Sequence, residues 1–360
     1  MPDDETIEER QRSRQGLTRP ELAVLLSYNK LALADAALAG GMAEDDFLES
    51  WLVEGFPEQL AARFPQAVRD HRLKRELIVT LITNQMVDRL GIATAHRLPA
   101  GFGSRMEAAV RGYVLADSWL DGETLFNAIE AMDNQISAAS QYQMHRIVIA
   151  LLKHAMNWWL STANIDGDLG DLVTRYQAGA QRLFADLPQF LAGSYRERWD
   201  RQQPAWQATG IDEQLAGQIA SADTGGAIMD VVSLAIDHGR DVAEVAQLFY
   251  QLGDELGVPW LQDSIHQLPV NGRWQALART SLRGDSYRIH QQIVAQVLDI
   301  AGDTPLQDWR AAHERTVAFI TARLAELQTI EQPGHEHLTV AVRDLARLAL
   351  PGPSSLGGAA

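Results

Sequence analysis

Thr18-Arg-Pro-Glu21 marks a helix start in two independent ways. A Thr three residues ahead of a Glu can form a capping box, each side chain reaching the other's backbone amide, and Pro20 sits in the first turn, where no amide hydrogen is needed. Apolar residues at helical spacing follow to about Ala39, and Gly40-Gly41 ends the run. The same punctuation recurs to the far end of the chain. Pro57 and Pro65 mark a short connecting helix, and Leu73, Leu77, Ile78, Leu81 and Ile82 predict a longer one that stops near Gly91. Ser104-x-x-Glu107 is a second capping box, opening a helix through Tyr113 and Val114. Residues 135–159 are apolar over a wide arc, the pattern of a central buried helix.

Further helices are predicted near 168–187 and 211–221, and Asp241-x-x-Glu244 opens one through Leu248, Phe249 and Leu252. Another runs over about 274–300 until Gly302, Thr304-Pro-Leu-Gln307 starts the next, and a last helix from about Leu338 to Leu350 ends at Pro351. Strand signals are nearly absent and no fixed period emerges. The expectation is an all-α fold: an irregular multi-helix array in one or two packed helical units, without a regular repeat. The expected division is a linker start at 1–15, an N-terminal helical unit at 16–190, a polar connection at 191–210, a C-terminal helical unit at 211–350 and a flexible tail at 351–360. The connection is predicted because that stretch is polar, charged and interrupted by Pro204.

Several functions are disfavoured at the outset. A net charge of −16 opposes a phosphate-binding surface, so no nucleic-acid partner is expected, and it repels anionic membranes. With no cysteine there is no disulfide framework, thiolate zinc site or thiol nucleophile, which fits a reducing compartment. The acidic Met1-Pro-Asp-Asp-Glu start lacks the apolar core of a signal peptide, and the longest unbroken apolar run is Ile147–Leu152. The expected location is cytoplasmic.

Each candidate for chemistry has a plainer reading. Gly101-Phe-Gly103-Ser-Arg-Met106 offers two glycines of a dinucleotide turn but lacks the third and the preceding strand; Thr224-Gly-Gly226 reads as the entry to a helix through Val231 and Ile236. Asn164-Ile-Asp166-Gly-Asp168-Leu-Gly-Asp171 resembles a calcium loop but fails the EF-hand spacing, so Asp166 or Asp168 is expected to cap a helix. His335-Glu-His337, expected in a loop, supplies only two metal ligands. Arg69, His71, Arg72, Lys74 and Arg75 form a dense basic cluster, either a solvated face with local ion pairs or a docking surface for an acidic partner. Trp158 and Trp159 diverge by about 100° on a helix, so one of them is expected to be exposed.

Four segments in order carry a resemblance. Gln15-Gly-Leu-Thr-Arg-Pro-Glu-Leu-Ala-Val-Leu-Leu-Ser-Tyr28 resembles the GLTRPELAVLLAY-like run that opens the C-terminal region of the large NAD-specific glutamate dehydrogenases. His71-Arg-Leu-Lys-Arg-Glu-Leu-Ile-Val-Thr-Leu-Ile-Thr-Asn84, Leu125-Phe-Asn-Ala-Ile-Glu-Ala-Met-Asp-Asn134 and Trp274-Gln-Ala-Leu-Ala-Arg279 with Asp285, Ser286 and Tyr287 are similar to later blocks of that region. Gln85-Met-Val-Asp departs from the usual Asp-Leu-Val-Asn, and 351–360 has no match.

The resemblance implies a non-catalytic segment of an enzyme that converts L-glutamate, NAD and water to 2-oxoglutarate, ammonia and NADH. Its implied partners are the preceding catalytic domain of the same polypeptide and further copies in a homo-oligomer, and its implied roles are bracing, assembly or regulation. Glutamate dehydrogenases use lysines beside a glycine-rich segment, together with an aspartate. This chain has three lysines, Lys30, Lys74 and Lys153, far apart and outside any such segment. No catalytic, cofactor-binding or metal residue is therefore carried over, and NAD is expected only for the parent enzyme. The alternative is an independent all-helical protein-interaction scaffold.

Overall fold

The computed structural model describes residues 9–350, apart from 11, 95–96, 99–104, 162–164 and 303. The Gly101-Phe-Gly103 turn, the Ser104 cap, Asn164, the 351–360 tail and most of the 1–15 start lie outside the described residues. Every regular element among the described residues is helical, and no strand occurs among them. The chain divides into two compact units, Met1–Ala131 with Gln141–Ala178, and Met132–Ser140 with Gly179–Ala360.

The first unit opens with α1 (Arg19–Ala39), which starts and stops where its punctuation predicts. The Thr18 amide donates to Glu21 Oε2 at 2.7 Å. That bond, with the Arg10 guanidinium beside it, holds the Glu21 carboxyl below the usual carboxylate range. Pro57 and Pro65 each precede or begin a separate short helix: α2 (Glu49–Glu54) is followed by α3 (Glu58–Arg63) and α4 (Pro65–Arg69). In α5 (Lys74–Leu90) the buried positions are Ile78, Val79, Ile82, Thr83, Met86, Val87 and Leu90. Leu73, expected on that face, precedes the helix and is 55% exposed. The core stripe lies one position further round, where Ile78, Ile82, Met86 and Leu90 stack at i, i+4.

Next come α6 (Met106–Leu120) and α7 (Gly122–Glu130). Arg105 is the N-cap of α6, and Glu107 is the second residue of the helix. In α8 (Ala138–Ser161) one stripe is buried, from Met144 through Val148, Leu152 and Ala155 to Trp159, while Tyr142 is 67% exposed. The predicted wide apolar arc is thus an amphipathic helix in its first turns. Trp159 is buried, and Trp158 is half-buried against Tyr176 with ring centroids 5.6 Å apart.

In the second unit the stretch expected as a polar connection is largely α10 (Gly193–Gln207), which follows α9 (Leu169–Phe190). Polarity misled here because α10 buries little beyond Tyr195 and Trp206, and Pro204 is accommodated inside the helix. It packs along α11 (Glu213–Thr224); α12 (Ile228–His238), α13 (Val242–Glu255) and α14 (Val258–Gln267) follow, against the long α15 (Arg273–Asp299). The unit closes with α16 (Pro305–Gln328) and α17 (His335–Leu345). The last helix begins three residues before the predicted Leu338, so His335-Glu-His337 forms its first turn instead of a loop.

The start of α10 is capped from far along the chain. The Ser194 amide donates to Asp254 Oδ1 of α13 at 2.7 Å, and a side chain on Gly193, whose φ is +46°, would collide with the same carboxylate. Gly193→Ala is expected to destabilise this unit by about 2 kcal/mol, combining positive-φ strain with a displaced cap. The measurement is the urea midpoint at constant m-value. An unchanged midpoint removes the cap from the account.

Candidate functional site

Two polar clusters, one in each unit, join titratable side chains from several helices. In the first unit, Arg89 Nη1 donates to Tyr113 Oη and to Asp117 Oδ1, both at 3.0 Å, and its guanidinium lies 4.6 Å from the Phe126 ring centroid. Tyr113 Oη in turn donates to Gln85 Oε1 at 2.8 Å. Burial pushes the Asp117 carboxyl up to about 6 against the pull of Arg89, with Glu123 and Asp121 adding to the rise. Gly122 leaves room for it, since a Cβ there would collide with Asp117 Oδ1.

A carboxyl raised in the folded state binds its proton there more tightly than in the unfolded chain. Its contribution is therefore full below the ordinary value near 3.8 and is lost as pH rises through about 6. The expected loss is about 3 kcal/mol as an upper figure. Asp117→Asn is expected to flatten that downward slope in a series of denaturant titrations between pH 4 and 7. A variant that keeps the slope would assign it to another group.

The aspartate-rich turn of this unit is fastened by backbone bonds. Asp168 Oδ1 accepts from the Asp171 amide at 2.9 Å, as a cap should, while Asp45 Oδ2 accepts from the Leu169 amide at 2.8 Å. Asp166 instead lies 3.6 Å from the exposed Arg105. Arg111, buried, donates to the Ile165 carbonyl at 2.9 Å and also to the Gly167 carbonyl. These oxygens serve the fold, and among the described residues no group of three or more metal-ligating side chains is found.

The three lysines stay apart on α1, α5 and α8. Lys30 pairs with Asp88 at 2.8 Å, and burial, reinforced by Arg97, lowers the pKa of Lys153. In the basic cluster, Arg69 pairs with Glu49 at 2.5 Å and Arg75 with Glu44 at 2.7 Å, while His71 packs against Phe56. Asn134, at the end of the Leu125–Asn134 block, occupies the left-handed region with φ of 61°.

In the second unit, Arg198 of α10 bridges two helices. It reaches Asp223 of α11 at 2.7 Å and Asp263 of α14 at 2.6 Å, and Gln202 donates to the same Asp223 oxygen at 2.5 Å. Burial alone would lower the guanidinium's pKa; the two carboxylates more than offset it. Deeper lie Tyr195, Tyr250, Tyr287 and His290. The His290 ring packs against Phe249 at a tilt of 46° with centroids 3.9 Å apart, and Tyr195 meets Tyr250 edge to face at 5.1 Å. Gly253 permits this approach: a Cβ there would sit 2.7 Å from His290 Cε1 and 3.0 Å from Tyr195 Oη.

Burial raises all three phenols and pushes the His290 imidazole down to about 3. Neither ring nitrogen makes a well-formed hydrogen bond, and the side chain is 0% exposed. A general base must reach the proton it abstracts, and this ring reaches no surface. The cluster is a packed polar core.

The Thr224-Gly-Gly226 turn forms the entry to α12. Gly225 is buried, and a Cβ on Gly226 would meet Tyr287 Oη at 2.7 Å, so the turn faces a phenol rather than space for a pyrophosphate. His335 and His337 do not converge on one site. His337 Nδ1 accepts from the Gly334 amide at 3.0 Å, whereas His335 Nε2 lies 3.5 Å from the Pro269 carbonyl. Trp274, from the last resembling block, is 80% exposed at the start of α15.

Comparison with known proteins gives this helical array its context. Residues 14–347 match the family model described as glutamate dehydrogenase, C-terminal. Relatives named NAD-specific glutamate dehydrogenase align over almost the whole chain: 29% identity over 97% of it for Halomonas elongata, 31% over 97% for Pseudomonas aeruginosa and 27% over 99% for Mycobacterium tuberculosis. In each case the aligned region is 22% of the relative, so the chain spans about a fifth of the length of the curated relatives it matches. With four resembling segments, an all-helical fold and a family match over 14–347, the chain belongs to the glutamate dehydrogenase C-terminal family.

Proposed function

We propose that this chain serves as the non-catalytic helical region of a large NAD-dependent glutamate dehydrogenase, an oxidoreductase that converts L-glutamate to 2-oxoglutarate and ammonia in the cytoplasm. The observation that carries the reading is the family match over 14–347 in a chain corresponding to about a fifth of its relatives. The interiors of the two units support it, because the described titratable clusters are spent on packing and capping. In this role the region braces the catalytic part of the polypeptide and contributes to homo-oligomer assembly or regulation, while NAD and glutamate bind elsewhere.

The test is glutamate-dependent NADH formation. The purified chain alone is expected to give none, a longer polypeptide that carries it to be active, and removal of the region from residue 14 onward to abolish activity or change the assembly seen by sedimentation. Turnover by the chain alone, or a deletion that alters neither activity nor assembly, would overturn the proposal.

A further inference from the structure

Helix α1 is turned the wrong way for a helix of its composition. An 18-residue window within it has a mean hydropathy of 1.4, apolar enough to cross a membrane, yet only 17% of that window is buried. The other such stretch among the described residues, Glu213–His238, has 78% of its window buried, as a core segment should. On α1 the inward side consists of Asn29, Leu33 and Ala37, packed toward α5 and α6. Asn29 Nδ2 donates to the Ile92 carbonyl at 3.2 Å, which fixes the rotation of the helix about its axis.

Outward, the exposed Tyr28 and Leu31 lie between the half-buried Val24 and Leu38, at steps of four, three and seven residues, and so form one stripe. Tyr28 is 61% exposed and Leu31 60%. Asp35 is the one charged residue on the stripe, and it too is exposed. An apolar strip of this kind, interrupted by one carboxylate, marks a place on a folded surface where something binds.

We infer that the Tyr28–Leu31 stripe of α1 is the seat of the polypeptide that precedes this region in the long glutamate dehydrogenases, docked through an apolar surface that carries a cation opposite Asp35. The inference rests on the proposed function and adds the surface through which that function is exercised. Two observations select this occupant. The family is the C-terminal part of proteins in which the aligned region is only 22% of the length, so in those relatives most of the chain lies ahead of it. The match begins at residue 14, ten residues ahead of Val24 at the near end of the stripe, so in those relatives the preceding polypeptide joins close to the N-terminal end of α1. A tether that short holds an intramolecular partner at about millimolar effective concentration, enough to favour it over free competitors.

The absence of cysteine from this chain makes the stripe directly measurable. Leu31→Cys is compared with Tyr142→Cys, a control 67% exposed in the same unit, in this chain alone and in the polypeptide that carries the preceding segment. Maleimide labelling is followed by peptide mass spectrometry, which separates these thiols from any in the longer polypeptide. In the chain alone the two sites are expected to label at similar rates. In the longer polypeptide Leu31→Cys is expected to slow by about tenfold or more, as for a contact occupied nine-tenths of the time or better, with the control unchanged. Tyr28→Cys repeats the test if Leu31→Cys melts early by circular dichroism.

Equal labelling of the stripe in both polypeptides overturns the inference. So does protection of the chain alone that grows with its concentration, which would make a second copy the occupant. Protection that needs added phospholipid vesicles would name a bilayer instead. NADH formation is measured on the same long polypeptide: activity with an unprotected stripe sinks this inference alone, whereas an inactive polypeptide sinks the proposed function whatever the labelling shows.

Discussion

Replacing His290 with leucine is expected to remove most of the acid sensitivity of the second unit. The folded imidazole is pushed down to about 3 from an ordinary value near 6.5 because its ring is wholly enclosed against Phe249 and the backbone of Gly253. Between those two pH values the unfolded chain takes up a proton that the folded chain refuses. The neutral ring's contribution is therefore fully present above about 6.5 and drains away as pH falls toward about 3. The whole window corresponds to about 5 kcal/mol as a ceiling, with roughly 3 kcal/mol gone by pH 4.

Leucine fills a similar space without a titratable group and is expected to cost about 1 kcal/mol at pH 7 through imperfect packing. Urea midpoints from pH 7 to pH 4 provide the comparison. Wild type is expected to lose ground to the variant steadily on acidification, and parallel curves would show that His290 is not the source. Asp117 in the first unit has the opposite sign, so the two units respond to acid in opposite directions and are best followed with separate probes.

The other large effect is expected at Trp159. It is 1% exposed and meets Trp158 and Tyr176 edge to face, with centroids at 4.9 and 5.1 Å. Trp159→Ala removes the buried indole of that cluster and leaves a cavity in the core. The expected loss is about 3–5 kcal/mol. Trp158→Ala, one position round the helix and half-buried, is expected to cost about 1–2 kcal/mol. Chemical denaturation of both variants decides the matter. Equal losses would mean that the two indoles share the interior, contrary to the observed burial.

That difference between neighbouring tryptophans shows which parts of the fold can be read from local order. The limits of α1 were legible because Thr18, Pro20, Glu21 and Gly40 act within a turn of the backbone they control. The helices near 168–187, 211–221 and 274–300 were legible from similar local signals. Leu73 misled because periodicity alone cannot fix which of two adjacent stripes faces inward; that choice rests on contacts with α1 and α2. The 191–210 segment misled because its polarity is that of an exposed helix, and the residue that starts it, Asp254, lies sixty positions away.

The polar clusters were illegible for a related reason. Arg89, Tyr113 and Asp117, or Arg198, Asp223 and Asp263, become partners only when helices distant in sequence are packed together. Gln85 is instructive: it departs from the family pattern, and its side-chain oxygen accepts a hydrogen bond from the Tyr113 hydroxyl. The exposed side of α1 was present in its high apolar content but could not be assigned until Asn29, Leu33 and Ala37 were seen to take the interior.

The way the two units share the chain has a consequence for its birth on the ribosome. Met132–Ser140 belongs to the second unit although unit-one residues flank it on both sides. Synthesis proceeds from the N-terminus, so this short stretch emerges long before α10 to α17, while the first unit still awaits Gln141–Ala178. Neither unit can therefore close as soon as its earliest helices appear. The first completes only once Ala178 has cleared the exit tunnel, and the second must then gather a segment made well before the rest of it. Ribosome pausing soon after Ala178 would give the first unit time to close before its competitor for neighbouring chain arrives.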